Sequence, residues 1–146
     1  MELLIGTRQN YMLKRSPLKR TKNKTKLLKS KAWSVFSKWI RERDNYTCFT
    51  CGKHETGRGM HAGHYVSRRH NSTLFDERNV NAQCAYCNLY LAGNIPVYAL
   101  KLKDKYGDDI LEELVRLSRE IKQYTEKDYE EIITKYKDYG QPRETD

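Results

Sequence analysis

The chain has 146 residues, enough for one domain with a modest core and some appendages. It carries 28 Lys and Arg against 19 Asp and Glu, with a pI near 9.4, which points to a polyanionic partner. No apolar run approaches a membrane span, and the opening residues 1–6 are too short a run for a signal peptide, so the expectation is a cytoplasmic protein without membrane contact.

The charge is unevenly placed. Residues 1–45 hold thirteen Lys or Arg and three acids, whereas residues 46–146 hold fifteen and sixteen. Residues 1–30 therefore read as a flexible basic arm, with Lys19, Arg20, Lys22, Lys24 and Lys26 as candidate phosphate contacts. Ser30 can cap a helix over about 31–43, whose face of Trp33, Phe36 and Ile40, with Val35 and Trp39 beside it, reads as core rather than as a base-stacking platform.

Residues 44–45 form a turn into a short strand at 46–48. Glycines at 52, 57 and 59 mark loops before a second strand at 60–65. Arg68 and Arg69 sit in a polar loop and are further candidates for DNA contact, with His70 beside them. Leu74 and Phe75 make a small apolar anchor, and a helix is expected from about 85 to 92, stopped by Gly93. Three helices should follow. The first is capped by Asn94 and stopped by Gly107, with Val97, Leu100 and Leu102 apolar. The second carries Ile110, Leu111, Leu114, Leu117 and Ile121 on its buried side. The third opens on a capping box at Thr125 to Asp128. The organisation expected is an arm (1–30), a metal-stapled core (31–94) and a C-terminal helical module (95–146) that offers a surface for a homodimer.

Four cysteines, Cys48, Cys51, Cys84 and Cys87, form two C-x-x-C knuckles. The two-residue spacer lets both sulfurs of a knuckle face one ion, so a structural zinc is expected rather than disulfides. A closed four-thiolate site has no open position, so this metal should not perform chemistry. His64 lies fifteen residues before Asn79, and Asn88 directly follows Cys87.

That pattern resembles an HNH endonuclease of the ββα-metal type in its zinc-knuckle form. More narrowly, the stretches around Cys48–Cys51, His61 to Arg68, Phe75 to Asn81, Gln83–Cys84, Cys87–Asn88 and Gly93–Asn94 resemble the NinG/Rap family of phage recombination endonucleases, with Tyr98, Leu100, Leu102 and Tyr106–Gly107 also fitting. The resemblance covers about residues 30–125. It implies an α+β fold, metal-dependent cleavage of branched DNA such as Holliday junctions and D-loops, and residence in the host cytoplasm.

Phosphodiester hydrolysis needs an activated water, neutralised phosphorane charge and a stabilised leaving oxygen. His64 is expected as general base, Asn79 as the residue that orients it, and Asn88 as an oxygen ligand to a catalytic Mg²⁺ or Mn²⁺. The chain departs from the pattern at Gly63, where a ligand often precedes the base. His61, on the strand face opposite the base, is the expected replacement, with Asp76 and Glu77 as runners-up. Asn81 and Gln83 are given no catalytic part. Two rivals stand beside this reading: a non-catalytic zinc-dependent DNA-binding protein, and a general or site-specific nicking enzyme.

Overall fold

A computed structural model describes residues 17–137. Helix α1 (Pro17–Arg43) begins well before the expected start near residue 31, because its N-terminal half has a partner that the sequence does not announce. That partner is α5 (Glu126–Lys137). Lys24 and Thr25 both reach Glu126, and Ala32 is buried with Tyr129 and Ile133. Residues 17–30, expected as part of a flexible arm, are thus helical. The side chains of Lys19, Arg20 and Lys22 lie outside the described residues, whereas Lys24 and Lys26 are exposed.

α1 ends in a Schellman arrangement. Asn45, in the left-handed region at φ 50°, donates its N–H to the Glu42 carbonyl, and the Tyr46 N–H reaches the Arg41 carbonyl at 2.8 Å. Arg43 then ties this end to the sheet through Asp44, the Val80 carbonyl and the Asn81 side chain.

Strands β1 (Met60–His64) and β2 (Val80–Cys84) pair antiparallel, with His61 opposite Gln83, Gly63 opposite Asn81 and His64 opposite Val80. Residues paired this way share a face, so the hairpin has two distinct sides. One side packs Val80 and Ala62 against Phe36, Trp39 and Ile40 of α1 and Tyr136 of α5. The other carries His61, Gly63, Asn81 and Gln83. The short α2 (Asn71–Leu74) lies between the strands in sequence, and Phe75 after it packs against α1 and Tyr129 as the expected anchor. The strand expected at 46–48 is a single bridge, Thr47 to His54.

After β2 the backbone makes a π-helical turn, Tyr86–Tyr90, in place of the expected α-helix. α3 (Ile95–Tyr106) starts at the expected place, but the Asn94 side chain makes no cap and lies against Cys87 Sγ instead. α3 buries Tyr98 and Leu102 together with Ile110 and Leu114 of α4 (Ile110–Ser118). Ile121, expected on the buried side, is 95% exposed, and the apolar Leu100 is 65% exposed. Tyr136 and Tyr98 both pack into the hairpin's surroundings, so the C-terminal helices are part of the core that frames it. Among the described residues no helix is long and apolar enough to cross a membrane.

Candidate metal centre and histidine–asparagine site

The two knuckles meet. The sulfurs of Cys48, Cys51, Cys84 and Cys87 all lie within 4.8 Å of one another, and all four cysteines are free of disulfides. Sulfurs bound tetrahedrally at zinc–sulfur distances near 2.3 Å stand about 3.8 Å apart. Cys51 and Cys84 are 3.8 Å apart. Gly52, at φ +76°, makes the tight turn of the first knuckle and donates its N–H to the Cys48 carbonyl. Electrostatics favours a cation here. Burial and the neighbouring sulfurs push the Cys51 thiol up to about 12, opposed by a backbone N–H. Burial also acts on Cys48, but the Thr50 hydroxyl and several backbone N–H groups outweigh it and bring that thiol down to about 6. Four thiolates this close are stable together only around a positive ion. The four cysteines could therefore hold a metal such as zinc.

The second cluster sits on the hairpin face opposite α1. Asn88, on the π-helical turn, places its Nδ2 at 3.0 Å from His61 Nδ1. Its Oδ1 lies over Gly63, 3.1 Å from where a Cβ at that position would stand. Gln83 Oε1 lies only 2.1 Å from the same point. Gly63 is therefore where two carboxamides close over the strand, and any side chain there would collide with them. The Gln83 amide is oriented by its nitrogen, which donates to the Gly93 carbonyl at 2.8 Å and to Thr50. Its Oε1 is buried and makes no hydrogen bond. The sequence assigns Gln83 no catalytic part, and the glycine in mid-strand is the signal for its close approach to β1. Tyr98 supports the same point from α3, its hydroxyl donating to the Gly63 carbonyl at 2.8 Å.

His64 is on the other face. Its ring stacks on Trp33, with centroids 5.0 Å apart and planes 22° from parallel. Its Nε2 lies 3.1 Å from the Leu74 carbonyl. A carbonyl only accepts, so this bond puts the proton on Nε2 and leaves Nδ1 with its lone pair. Burial pushes the ring down to about 4; the Leu74 carbonyl opposes this and the Arg68 charge adds to it, so the imidazole is neutral at pH 7. The guanidinium of Arg68 lies over the far part of this stack, 5.5 Å from the Trp33 ring. Trp33 is thus both core and a wall of the histidine.

Asn79 makes no hydrogen bond to either histidine. Fully buried just before β2, it accepts from the Val66 N–H at 2.7 Å and donates to the carbonyls of Val66 and Thr73, both at 3.0 Å. It clamps the two ends of the segment between the strands, including the residue before Leu74. Its bond to the Thr73 carbonyl lies one residue before Leu74, whose carbonyl meets the His64 ring.

The structure brings His61 and Asn88 together and leaves His64 on the opposite side of β1. Asp76 and Glu77 are occupied elsewhere: Arg78 holds Asp76, and Lys135 and Tyr136 hold Glu77. Arg69 is exposed, and His70, expected toward phosphate or solvent, bonds the Ser118 carbonyl. Among the described residues the cysteines are the one gathering of three or more His, Cys, Asp or Glu ligands. A cation beside His61 would have one ring nitrogen and the oxygens of Asn88 and Gln83, with no carboxylate.

A family model described as "NinG: Bacteriophage Lambda NinG protein" matches residues 6–143. The chain is 35% identical over 85 residues to "Protein ninG" of Escherichia phage 933W, which covers 57% of this chain and 42% of that protein. It is 34% identical over 85 residues to "Protein ninG" of Escherichia phage lambda, covering 57% and 41%, and 35% identical over 85 residues to that of Salmonella phage P22, with the same coverage. The aligned part spans about two fifths of the length of these curated relatives. No solved structure matches the chain.

Proposed function

The chain belongs to the NinG family, and from that premise we propose that it is a metal-dependent DNA endonuclease of the HNH type that cuts branched recombination intermediates. The observation that carries this reading is Asn88, paired with His61 and lying with Gln83 over Gly63, because it supplies candidate ligands where the sequence had left a gap. The order of β1, β2 and a helical turn, with a histidine at the end of β1 and an asparagine on the turn, supports the ββα-metal reading.

In this account zinc sits in the four thiolates and only holds the hairpin to the knuckles. A second divalent cation, Mg²⁺ or Mn²⁺, would be held by His61, Asn88 and Gln83, where it would neutralise phosphorane charge and stabilise the leaving oxygen. The orphaned Gln83 Oε1 fits such an ion, and the absence of a carboxylate leaves room for water ligands. His64 Nδ1 takes a proton from the attacking water as the new P–O bond forms and the bond to the 3′ oxygen breaks. Nε2–H stays on Leu74, which keeps the ring in the tautomer that can accept. Asn79 is a positioning residue. The exposed lysines of α1, with Arg68 and Arg69, add sequence-independent attraction to phosphate.

The burial of His64 against Trp33 favours one rival, a zinc-stabilised DNA-binding protein without catalysis, in which His64 serves only packing. Incubation of the purified protein with a labelled four-way junction and Mg²⁺ or Mn²⁺ separates the two. The nuclease reading expects cutting that His64→Ala abolishes while junction binding is retained; the rival expects binding alone.

A further inference from the structure

Arg41 and Arg58 differ from the three arginines of the described structure that a carboxylate holds. Arg43, Arg78 and Arg116 are each held by a carboxylate. Arg41 and Arg58 make no ion pair among the described residues, and the acids beside them in sequence are committed, Glu42 to Lys38 and Glu55 to Lys53. Both residues line one open cleft of about 690 Å³, together with Tyr46 and His61. Arg41 comes from the last turn of α1, Arg58 from the turn just before β1, and His61 from β1 itself.

The backbone fixes this convergence. The Schellman bonds from Asn45 and Tyr46 satisfy the carbonyls of Glu42 and Arg41, so the helix end does not present those bare oxygens to an anion. Tyr46 adopts φ 51°, a conformation costly for a bulky residue, and from it lines the cleft. Two unpaired guanidiniums flanking a cleft are suited to an oxyanion with several acceptor oxygens, because each planar fork matches a phosphate geometrically. His61 lines the same cleft and pairs with Asn88.

We propose that this cleft takes a phosphate of the DNA backbone, gripped by Arg41 and Arg58, and so delivers the strand to the His61–Asn88 pair. The inference rests on the DNA reading above and names where the substrate backbone lies. It differs from the sequence expectation, which placed DNA contacts on the N-terminal lysines and on Arg68 and Arg69.

The test is fluorescence anisotropy of a labelled four-way junction with the zinc-loaded full chain, without added Mg²⁺ or Mn²⁺, over a salt series. Arg41→Gln and Arg58→Gln should each weaken binding, and the double variant should flatten the plot of log affinity against log salt by about 1, the value for one phosphate. Arg119→Gln, on the end of α4, serves as the charge control and should leave the slope unchanged. The double Arg→Lys variant should keep most of the slope but bind more weakly, because charge is retained and the bidentate grip is lost. Zinc content and far-UV circular dichroism confirm that each variant folds. A double Gln variant that folds and keeps the wild-type slope and affinity overturns the cleft while leaving the DNA reading intact. A wild-type chain that binds no junction overturns both.

Discussion

Gln83 Oε1 lies 2.1 Å from the position a Cβ would take on Gly63, so the identity of residue 63 and the orientation of a buried carboxamide on the neighbouring strand are one structural fact. Gly63→Ala should destabilise the protein by about 1–3 kcal/mol, the usual cost of overpacking a filled interior. Combining it with Gln83→Ser, which removes the colliding oxygen, should cost less than the sum of the two single changes. Urea unfolding of the four proteins measures this directly, and strict additivity would show that the two side chains do not meet.

Removal of one thiolate should dismantle the metal centre. Wild-type protein is expected to bind one zinc per chain through the four sulfurs that lie within 4.8 Å of each other. Cys84→Ser should fall below one zinc per chain by elemental analysis and lose its cooperative thermal unfolding, since binding and folding free energy are coupled in such sites. Stoichiometric zinc in that variant would place the metal elsewhere.

Asn79→Ala removes three hydrogen bonds that join the segment between the strands to the start of β2. Leaving buried partners unpaired costs about 1–3 kcal/mol. Amide exchange at Val66 should accelerate in the variant, and the His64 ring should lose its fixed orientation without losing its fold. An unchanged exchange rate at Val66 would remove Asn79 from this role.

The pH dependence follows from His64. Its folded value, about 4, lies below the ordinary 6.5, so between these limits the unfolded chain binds a proton that the folded chain does not. Stability from this group is therefore complete above pH 6.5 and is lost as the pH falls toward 4, with a slope of at most about 1.4 kcal/mol per pH unit. The difference in unfolding free energy between wild type and His64→Gln should shrink as the pH drops from 7 to 5. A His64 ring signal that titrates near 6.5 by NMR would contradict the burial described here.

Features that depend on spacing alone were legible in the sequence. The paired cysteines, the strand at Met60–His64, the stop at Gly107 and the reciprocal cap between Thr125 and Asp128 all stand where local pattern placed them. The His61–Asn88 contact follows from strand alternation plus the knuckle, although strand alternation equally places His64 on the other face. What escaped reading depends on partners distant in sequence. The lysine-rich half of α1 looks unable to fold until α5 supplies Glu126 and Tyr129. Ile121 continues the periodicity of α4 past the helix end at Ser118, so its apolar side chain is left in solvent. Gln83 stands in a stretch that carries the family resemblance, but nothing in the sequence shows that its carboxamide closes over Gly63.

The central claim is that His64 activates water for cleavage of a branched DNA. The most direct measurement is single-turnover cutting of a four-way junction and of a linear duplex of matched sequence, by wild type and His64→Ala, with Mg²⁺ or Mn²⁺ present. The account predicts metal-dependent cutting with the junction preferred, and loss of at least a hundredfold in rate for His64→Ala with junction affinity retained, about the contribution of one general base. Cutting by His64→Ala at the wild-type rate, or binding without any cutting by the wild type, would contradict it.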